Sequence, residues 1–139
     1  MSISSAAKAY EVQRRLSLVE EKKPEELVSL LLQKAYVSLL RGVMILRNKE
    51  ILDEKWEVRL RATEEFHMAV SKTLQILTAL REVLDHDAGG DLAQHLEDTY
   101  SAIMASLWKY SKEKDEEQMS KILEALSVLK EAWEGILVT

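Results

Sequence analysis

The sequence predicts an all-α protein: an antiparallel up-down four-helix bundle preceded by an N-terminal arm or short extra helix. Glycine and proline are scarce, with four glycines and one proline in 139 residues, so we expect long helices and few tight turns. Apolar residues recur at intervals of three and four, and they do not alternate at period 2 as they do in strands. With 47% apolar and 31% charged residues, the chain is apolar enough to bury a core.

The length of the chain fits one domain, in which residues 1–23 form an N-terminal arm or cap and residues 24–139 form the bundle. Apolar residues occur at helix-like intervals between Ala6 and Val19, but Arg14 and Arg15 interrupt them and a run of charges follows. A terminal segment of this composition is a short helix, a frayed arm or an exchange between the two. The sequence leaves these alternatives open.

The first long helix is predicted from Pro24 to about Asn48. Proline suits a first helical position, where its missing N–H would have no partner, and the two glutamates that follow place negative charge at the positive end of the helix dipole. The predicted apolar stripe is broad and therefore needs more than one neighbouring helix to cover it. It comprises Leu27, Leu31, Ala35, Leu39 and Val43, widened by Leu32, Tyr36, Leu40 and Met44.

The second and third helices are separated by a predicted break at residues 85–90, because Gly89 and Gly90 disfavour helix and permit a turn. The second helix is predicted from about Asp53 to Leu84, roughly 50 Å long, so its ends are expected to overhang. The third is predicted from about Asp91 to Lys114. The predicted stripes are Val58, Ala62, Phe66, Val70, Leu74, Leu77, Leu80 and Leu84 in the second helix, and Leu92, Leu96, Tyr100, Ile103 and Leu107 in the third.

The fourth helix is predicted to begin at Asp115. Aspartate is a good N-cap, and Gln118 follows three residues later as in a capping box. The predicted core residues of this helix are Met119, Ile122, Leu126, Leu129, Trp133 and Ile136. The short connections between the last three helices make them antiparallel neighbours.

Composition excludes several classes of function. The net charge of −5 gives no reason to expect nucleic acid as a partner, and without cysteine the chain has no disulfide, thiol nucleophile or thiolate zinc site. The N-terminus lacks the pattern of a signal peptide. The most apolar stretch, from Leu27 to Leu46, is interrupted by polar and charged residues, so no membrane insertion is expected and a cytoplasmic location is predicted.

The sequence offers little for catalysis. A carboxylate-bridged di-metal site in a bundle needs two Glu-x-x-His turns, and only Glu64 to His67 forms one. His67 is more simply a surface histidine, and Asp91 with His95 suits the start of a helix better than a metal site. Phosphate-binding glycine loops and nucleophile elbows are missing from the sequence. We therefore predict a protein that is not an enzyme and has no metal or cofactor.

Surplus apolar residues indicate instead that the bundle binds another polypeptide. The helical stripes are wider than a four-helix core requires, and grooves between helices accept amphipathic helices. Trp108 falls one position beyond the core stripe, where a partly exposed aromatic side chain would anchor a partner. The candidate contact residues at or beyond the stripe edges are Val58, Ile76, Val83, Met104, Trp108 and Val128. Each of them is alternatively an ordinary core residue.

An ordered set of landmarks along the chain resembles the FliS family of flagellar secretion chaperones. Tyr10 is followed by Pro24-Glu25-Glu26-Leu27-Val28, then by Leu84-Asp85 and Gly89-Gly90-Asp91-Leu92-Ala93. Leu96 and Tyr100, Lys114-Asp115 and Leu129-Lys130-Glu131-Ala132-Trp133 complete the pattern. Lys23 departs from it, standing where the family usually has a small polar N-cap.

The resemblance implies a cytosolic chaperone that binds the disordered C-terminal segment of flagellin, prevents premature polymerisation and keeps the cargo competent for export. The flagellar type III export gate is a further implied partner. The family's N-terminal tyrosine corresponds to Tyr10, so Ile3, Tyr10 and Val12 are expected to belong to an arm that covers or frames the cargo site.

Two alternatives share parts of this reasoning. A helical adaptor or regulator with another flagellar or secreted cargo would have the same fold and surface, and a metal-binding bundle enzyme would require a ligand set. The oligomeric state is open between a monomer and an arm-swapped homodimer.

Overall fold

The computed structural model of the chain describes residues 24–138, with side chains as far as Gly135. Four α-helices and one short 3₁₀ helix make up this part, with no strand, which confirms the predicted fold class. The predicted arm at residues 1–23 lies outside the described residues. In chain order the elements are α1 Pro24–Arg47, a 3₁₀ helix Lys49–Asp53, α2 Trp56–Glu82, α3 His86–Glu113 and α4 Glu116–Val138.

The helices form a closed ring in which each packs on the next and α4 packs back on α1. The contacts of α1 with α2 and with α4 are the most extensive of the four, so α1 is the helix around which the bundle is built. By length and composition, α1 is also the one helix in the described part apolar enough to cross a membrane. Its packing against two neighbours accounts for that composition, because core helices of bundles are apolar for the same reason.

The core confirms most of the predicted stripes. Phe66 and Tyr100 are its largest fully buried side chains, and α1 and α4 contribute leucines and Met119. Three predicted core positions were wrong: Met44, Val58 and Leu92 are exposed. In α3 the smaller Ala93 is buried instead of Leu92. The fully or nearly fully buried apolar residues are Leu27, Leu32, Ala35, Leu39, Val43, Phe66, Val70, Leu77, Leu80, Ala93, Tyr100, Ile103, Leu107, Met119, Ile122, Leu123 and Leu126.

The predicted break at residues 85–90 is wrong in part, because α3 already begins at His86. The Asp85 carboxylate caps this start by accepting hydrogen bonds from the backbone N–H groups of Asp87 and Ala88, at 3.1 and 3.0 Å. A kink then follows at Gly90, whose φ of 53° and ψ of −127° are not helical. The regular part of α3 therefore runs from Asp91, as predicted.

The other helix starts also follow from local chemistry. The Asp115 carboxylate accepts a hydrogen bond from the backbone N–H of Gln118 at 3.1 Å, which confirms the predicted N-cap of α4. The predicted start of α2 at Asp53 is three residues early, since residues 49–53 form the 3₁₀ helix and α2 begins at Trp56.

Helix α2 extends well past the end of α3. The Thr78 hydroxyl donates to Met104 Sδ at 3.4 Å and Arg81 Nη1 donates to Ser101 Oγ at 3.2 Å, which fixes the antiparallel register of α2 and α3. In this register the last residue of α3, Glu113, lies level with about residue 69 of α2. About 13 residues at the start of α2, or ~20 Å, therefore project beyond α3.

The kink at Gly90 predicts an unequal effect of alanine at two glycines. Gly90→Ala places a side chain in a backbone region that only glycine adopts readily, and should lower the free energy of unfolding by about 1–3 kcal/mol. Gly135 lies in α4, where an added Cβ would meet nothing within 4 Å. Gly135→Ala should raise stability by about 0.5–1 kcal/mol, so equal effects in urea denaturation would contradict the assignment of the kink.

Burial of Tyr100 predicts a loss of stability at high pH. Burial raises the pKa of Tyr100 to about 12. Between pH ~10 and ~12 the folded state keeps a phenol proton that the unfolded state has lost, so the free energy of unfolding falls as pH rises through this window. Tyr100→Phe should show a shallower fall in urea midpoints above pH ~10. Tyr110→Phe is the control and should retain the wild-type slope.

Candidate protein-binding surface

Histidine and carboxylate side chains do not cluster in the described part of the chain: no three or more of them are placed to hold a metal ion. His67 is exposed and lies edge-on to the Phe66 ring, with centroids 5.6 Å apart. Asp91 and His95 are also exposed. The residues considered for metal binding are therefore surface residues, and attention moves to the apolar surface.

The six candidate contact residues from the bundle fall into two groups. Val58, Val83, Trp108 and Val128 are exposed, with 43%, 55%, 61% and 61% of each residue's surface accessible. Ile76 and Met104 are partly buried and pack against the core. The other three candidates, Ile3, Tyr10 and Val12, lie outside the described residues.

Three of the six lie on the edge of α2 that faces α1. Val58, Ile76 and Val83 are spaced by 18 and 7 residues, which are whole numbers of helical turns. Ala69 shares this edge, and a Cβ placed on Gly42 of α1 would lie 3.5 Å from the Ala69 Cβ. Val58 and Val83 are near opposite ends of α2, so this edge is a long strip and not a single pocket.

Met104 and Trp108 share the edge of α3 that faces α2. Met104 Sδ accepts the hydrogen bond from Thr78, which places the side chain in the α2/α3 groove. Trp108 follows one turn later and remains exposed, with Lys112 Nζ 4.1 Å from its ring centroid. A cation over an indole ring holds the side chain in place at a cost in stability of ~1 kcal/mol or less when it is lost. An ordered, exposed tryptophan beside a groove is a typical anchor for a partner.

Val128 lies on a third surface, the outer face of α4. It is separated by seven residues from Lys121, and exposed alanines at positions 125 and 132 lie on either side of it along the helix. The candidate residues thus line at least three edges around the bundle and are not gathered at one site. A partner that contacted all of them would have to wrap around the bundle.

Sequence reasoning missed several exposed apolar side chains. Leu52, Trp56 and Leu60 recur every four residues along the projecting start of α2, a spacing visible in the sequence, but their exposure depends on the overhang. Val37 and Met44 lie on the outer side of α1 and Met68 on the outer side of α2. Isolated apolar residues are normal on protein surfaces, whereas this number of large ones in a small domain is typical of an interaction surface.

A four-helix bundle with large apolar side chains on several outer edges defines a protein that binds polypeptides. Comparison with known proteins is consistent with this class. The family model for the flagellar protein FliS matches residues 6–139, nearly the whole chain, and the chain therefore belongs to the FliS family. This membership confirms the resemblance seen in the sequence. Because the family consists of chaperones, it also confirms the prediction that the chain is not an enzyme.

Related proteins carry the same description. The chain is similar to the flagellar secretion chaperone FliSB of Pseudomonas aeruginosa, with 28% identity over 138 residues and 98% of each chain covered. It is 26% identical over 137 residues to the flagellar secretion chaperone FliS of Salmonella typhimurium, covering 98% of this chain and 93% of that protein. The flagellar secretion chaperone FliS of Vibrio cholerae is 27% identical over 67 residues, about half of each chain.

Two adjacent residues of α3 predict opposite responses to truncation. Leu107 is completely buried, so Leu107→Ala should lower the free energy of unfolding by about 2–5 kcal/mol. Trp108→Ala removes a larger side chain but only from the surface, and should cost about 1 kcal/mol or less. Urea denaturation followed by circular dichroism measures both values. A loss at Trp108 as large as that at Leu107 would mean that the tryptophan is a core residue.

Proposed function

We propose that the protein is a cytoplasmic export chaperone that binds the disordered C-terminal segment of flagellin, prevents its premature polymerisation and keeps it competent for flagellar export. The observation that carries this proposal is the exposure of large apolar side chains along several edges of one bundle. Membership in a family of flagellar chaperones narrows the cargo to the flagellar export system. A chaperone acts on its cargo before secretion, which is why the proposed location is the cytoplasm.

A disordered cargo segment suits this surface better than a folded one. Apolar side chains lie on the α1-facing edge of α2, in the α2/α3 groove beside Trp108, and on the outer face of α4. An extended chain that forms short amphipathic helices on binding can reach these separate edges, since the connecting residues bridge between them. A rigid partner would contact only one edge.

The N-terminal arm enters the proposal as a second element of the binding site. Ile3, Tyr10 and Val12 precede α1 and are proposed to cover or frame the apolar edges until cargo arrives. Such a cover would limit aggregation through the exposed apolar surface. Delivery of the loaded chaperone to the export gate would then follow cargo binding.

Calorimetric titration with a peptide of the last ~40 residues of the cognate flagellin tests this proposal, a length suited to wrapping a bundle. We expect binding near 1:1, a clearly negative heat-capacity change from apolar burial, and a gain of helix. Trp108→Glu and Val83→Glu should each weaken binding by about tenfold or more, because a charge would be buried against the apolar cargo.

Met68→Glu is the matched control, since Met68 is highly exposed but lies on the outer side of α2 away from the proposed edges. It should bind the peptide like the wild type. A chain lacking residues 1–16 should differ from the wild type in affinity or solubility. No binding by a folded wild-type protein would contradict flagellin as the cargo and favour an adaptor for another secreted protein.

A further inference from the structure

A groove runs between α1 and α4 on a side of the bundle that the proposed flagellin contacts do not include. Its volume is about 660 Å³. Its apolar part is formed by Tyr36 and Leu40 of α1 and by Leu123 of α4. The polar residues that line it are Arg47, Glu116, Glu117, Ser120, Lys121, Glu124 and Ser127. The groove is thus an apolar channel with charged borders.

Helix α1 carries a second apolar stripe along this groove, separate from the stripe that faces the core. Its positions are spaced by three, four, three and four residues, the spacing of a coiled-coil seam. Val37 and Met44 are exposed, while Leu40 is partly buried in the groove. The stripe is about 21 Å long, which is four helical turns. It consists of Leu30, Gln33, Val37, Leu40 and Met44.

The core does not account for this stripe. The buried positions of α1, such as Leu32, Leu39 and Val43, face the interior and are covered by the other helices. A single amphipathic helix in a bundle needs only one such stripe. Val37 and Met44 are therefore surplus to folding, and their seam-like spacing matches the face of a further helix that is not part of the described chain.

Charges border the stripe on both sides, with opposite signs. Lys34 and Arg41, seven residues apart on α1, lie on the side away from α4. Glu124 and Glu131, also seven residues apart, lie on the outer side of α4. Within the described part of the chain, none of these four charges forms an ion pair.

The remaining charges at the groove are already neutralised. Arg47 Nε lies 3.1 Å from Glu116 Oε1, and Lys121 Nζ lies 3.7 Å from Glu117 Oε1. Lys130 Nζ lies 3.4 Å from Glu134 Oε1 and 5.8 Å from the ring centroid of Tyr36. What is left for a ligand is a basic border on α1 and an acidic border on α4.

We propose that the α1/α4 groove docks an amphipathic helix of a second partner protein. That helix has apolar residues in a three-four repeat, acidic residues along the edge that faces Lys34 and Arg41, and basic residues along the edge that faces Glu124 and Glu131. Complementary edge charges of this kind select partners and orientation in helix pairing. The groove would let the chaperone hold flagellin and a second protein at the same time.

A designed helical peptide of about 18 residues tests the groove directly, with a leucine stripe, glutamates along one edge and lysines along the other. Two control peptides keep the leucine stripe and carry lysine on both edges or glutamate on both edges. In fluorescence anisotropy the mixed-edge peptide should bind the wild-type protein about tenfold more tightly than either control. Equal binding of the three peptides would overturn the proposed selection by charge.

Variants of the full chain locate the site. Met44→Lys and Val37→Lys should each weaken binding of the mixed-edge peptide by about tenfold, since both place a charge in the apolar stripe. Met68→Lys carries the same change at an exposed methionine of α2 and should bind like the wild type. Circular dichroism and urea midpoints verify that the variants fold. Unchanged binding by a folded Met44→Lys variant would overturn the location.

Charge reversal gives a result that a merely sticky surface would not. The double variant Lys34→Glu and Arg41→Glu makes both borders acidic, so the peptide with lysine on both edges should become the tightest ligand of the three. Addition of the flagellin peptide to the wild-type complex should not displace the mixed-edge peptide. Displacement would overturn the separation of the two sites, and it is measured independently of whether flagellin binding itself is confirmed.

Discussion

The burial of α1 between α2 and α4 is the constraint on which the rest of the structure depends. Leu32, Ala35, Leu39 and Val43 are completely inaccessible, and both neighbouring helices are needed to cover them. This requirement closes the four helices into a ring, because α4 must return to the helix with which the bundle began. The edges that α2, α3 and α4 leave exposed are set by how they meet that demand.

The exposed apolar side chains are compatible with stability because the core does not use them. Burying one such side chain would contribute about 1.5–3 kcal/mol, so leaving several in water forgoes stabilisation that a better-covered fold would have. In a protein that binds a disordered chain, the same surface becomes useful only in the complex. The free energy gained there must exceed the cost of ordering the cargo, which favours several separate apolar edges over one small pocket.

Local patterns predicted much of the fold, and register limited the rest. The N-cap at Asp115, the break near Gly90 and the stripes of Phe66 and Tyr100 each follow from a few adjacent residues. The exposure of Val58 and Trp56 does not, since it arises from the projection of α2 past its neighbours. Leu92 and Ala93 are adjacent, and the kink before them decides which one faces the core. The candidate surface was predicted only where a residue such as Trp108 fell beside a clear stripe.

The link between the two ends of the bundle has a consequence for synthesis. Trp133 Nε1 donates a hydrogen bond to the Glu25 carbonyl at 2.8 Å, joining residues that are 108 positions apart. During translation at ~5–20 residues per second, α1 emerges first and waits several seconds for the helix that completes its cover. A nascent chain of this protein therefore carries its most apolar helix unprotected until its final residues leave the ribosome. A chaperone for an aggregation-prone cargo is in this respect briefly in the same position as its cargo.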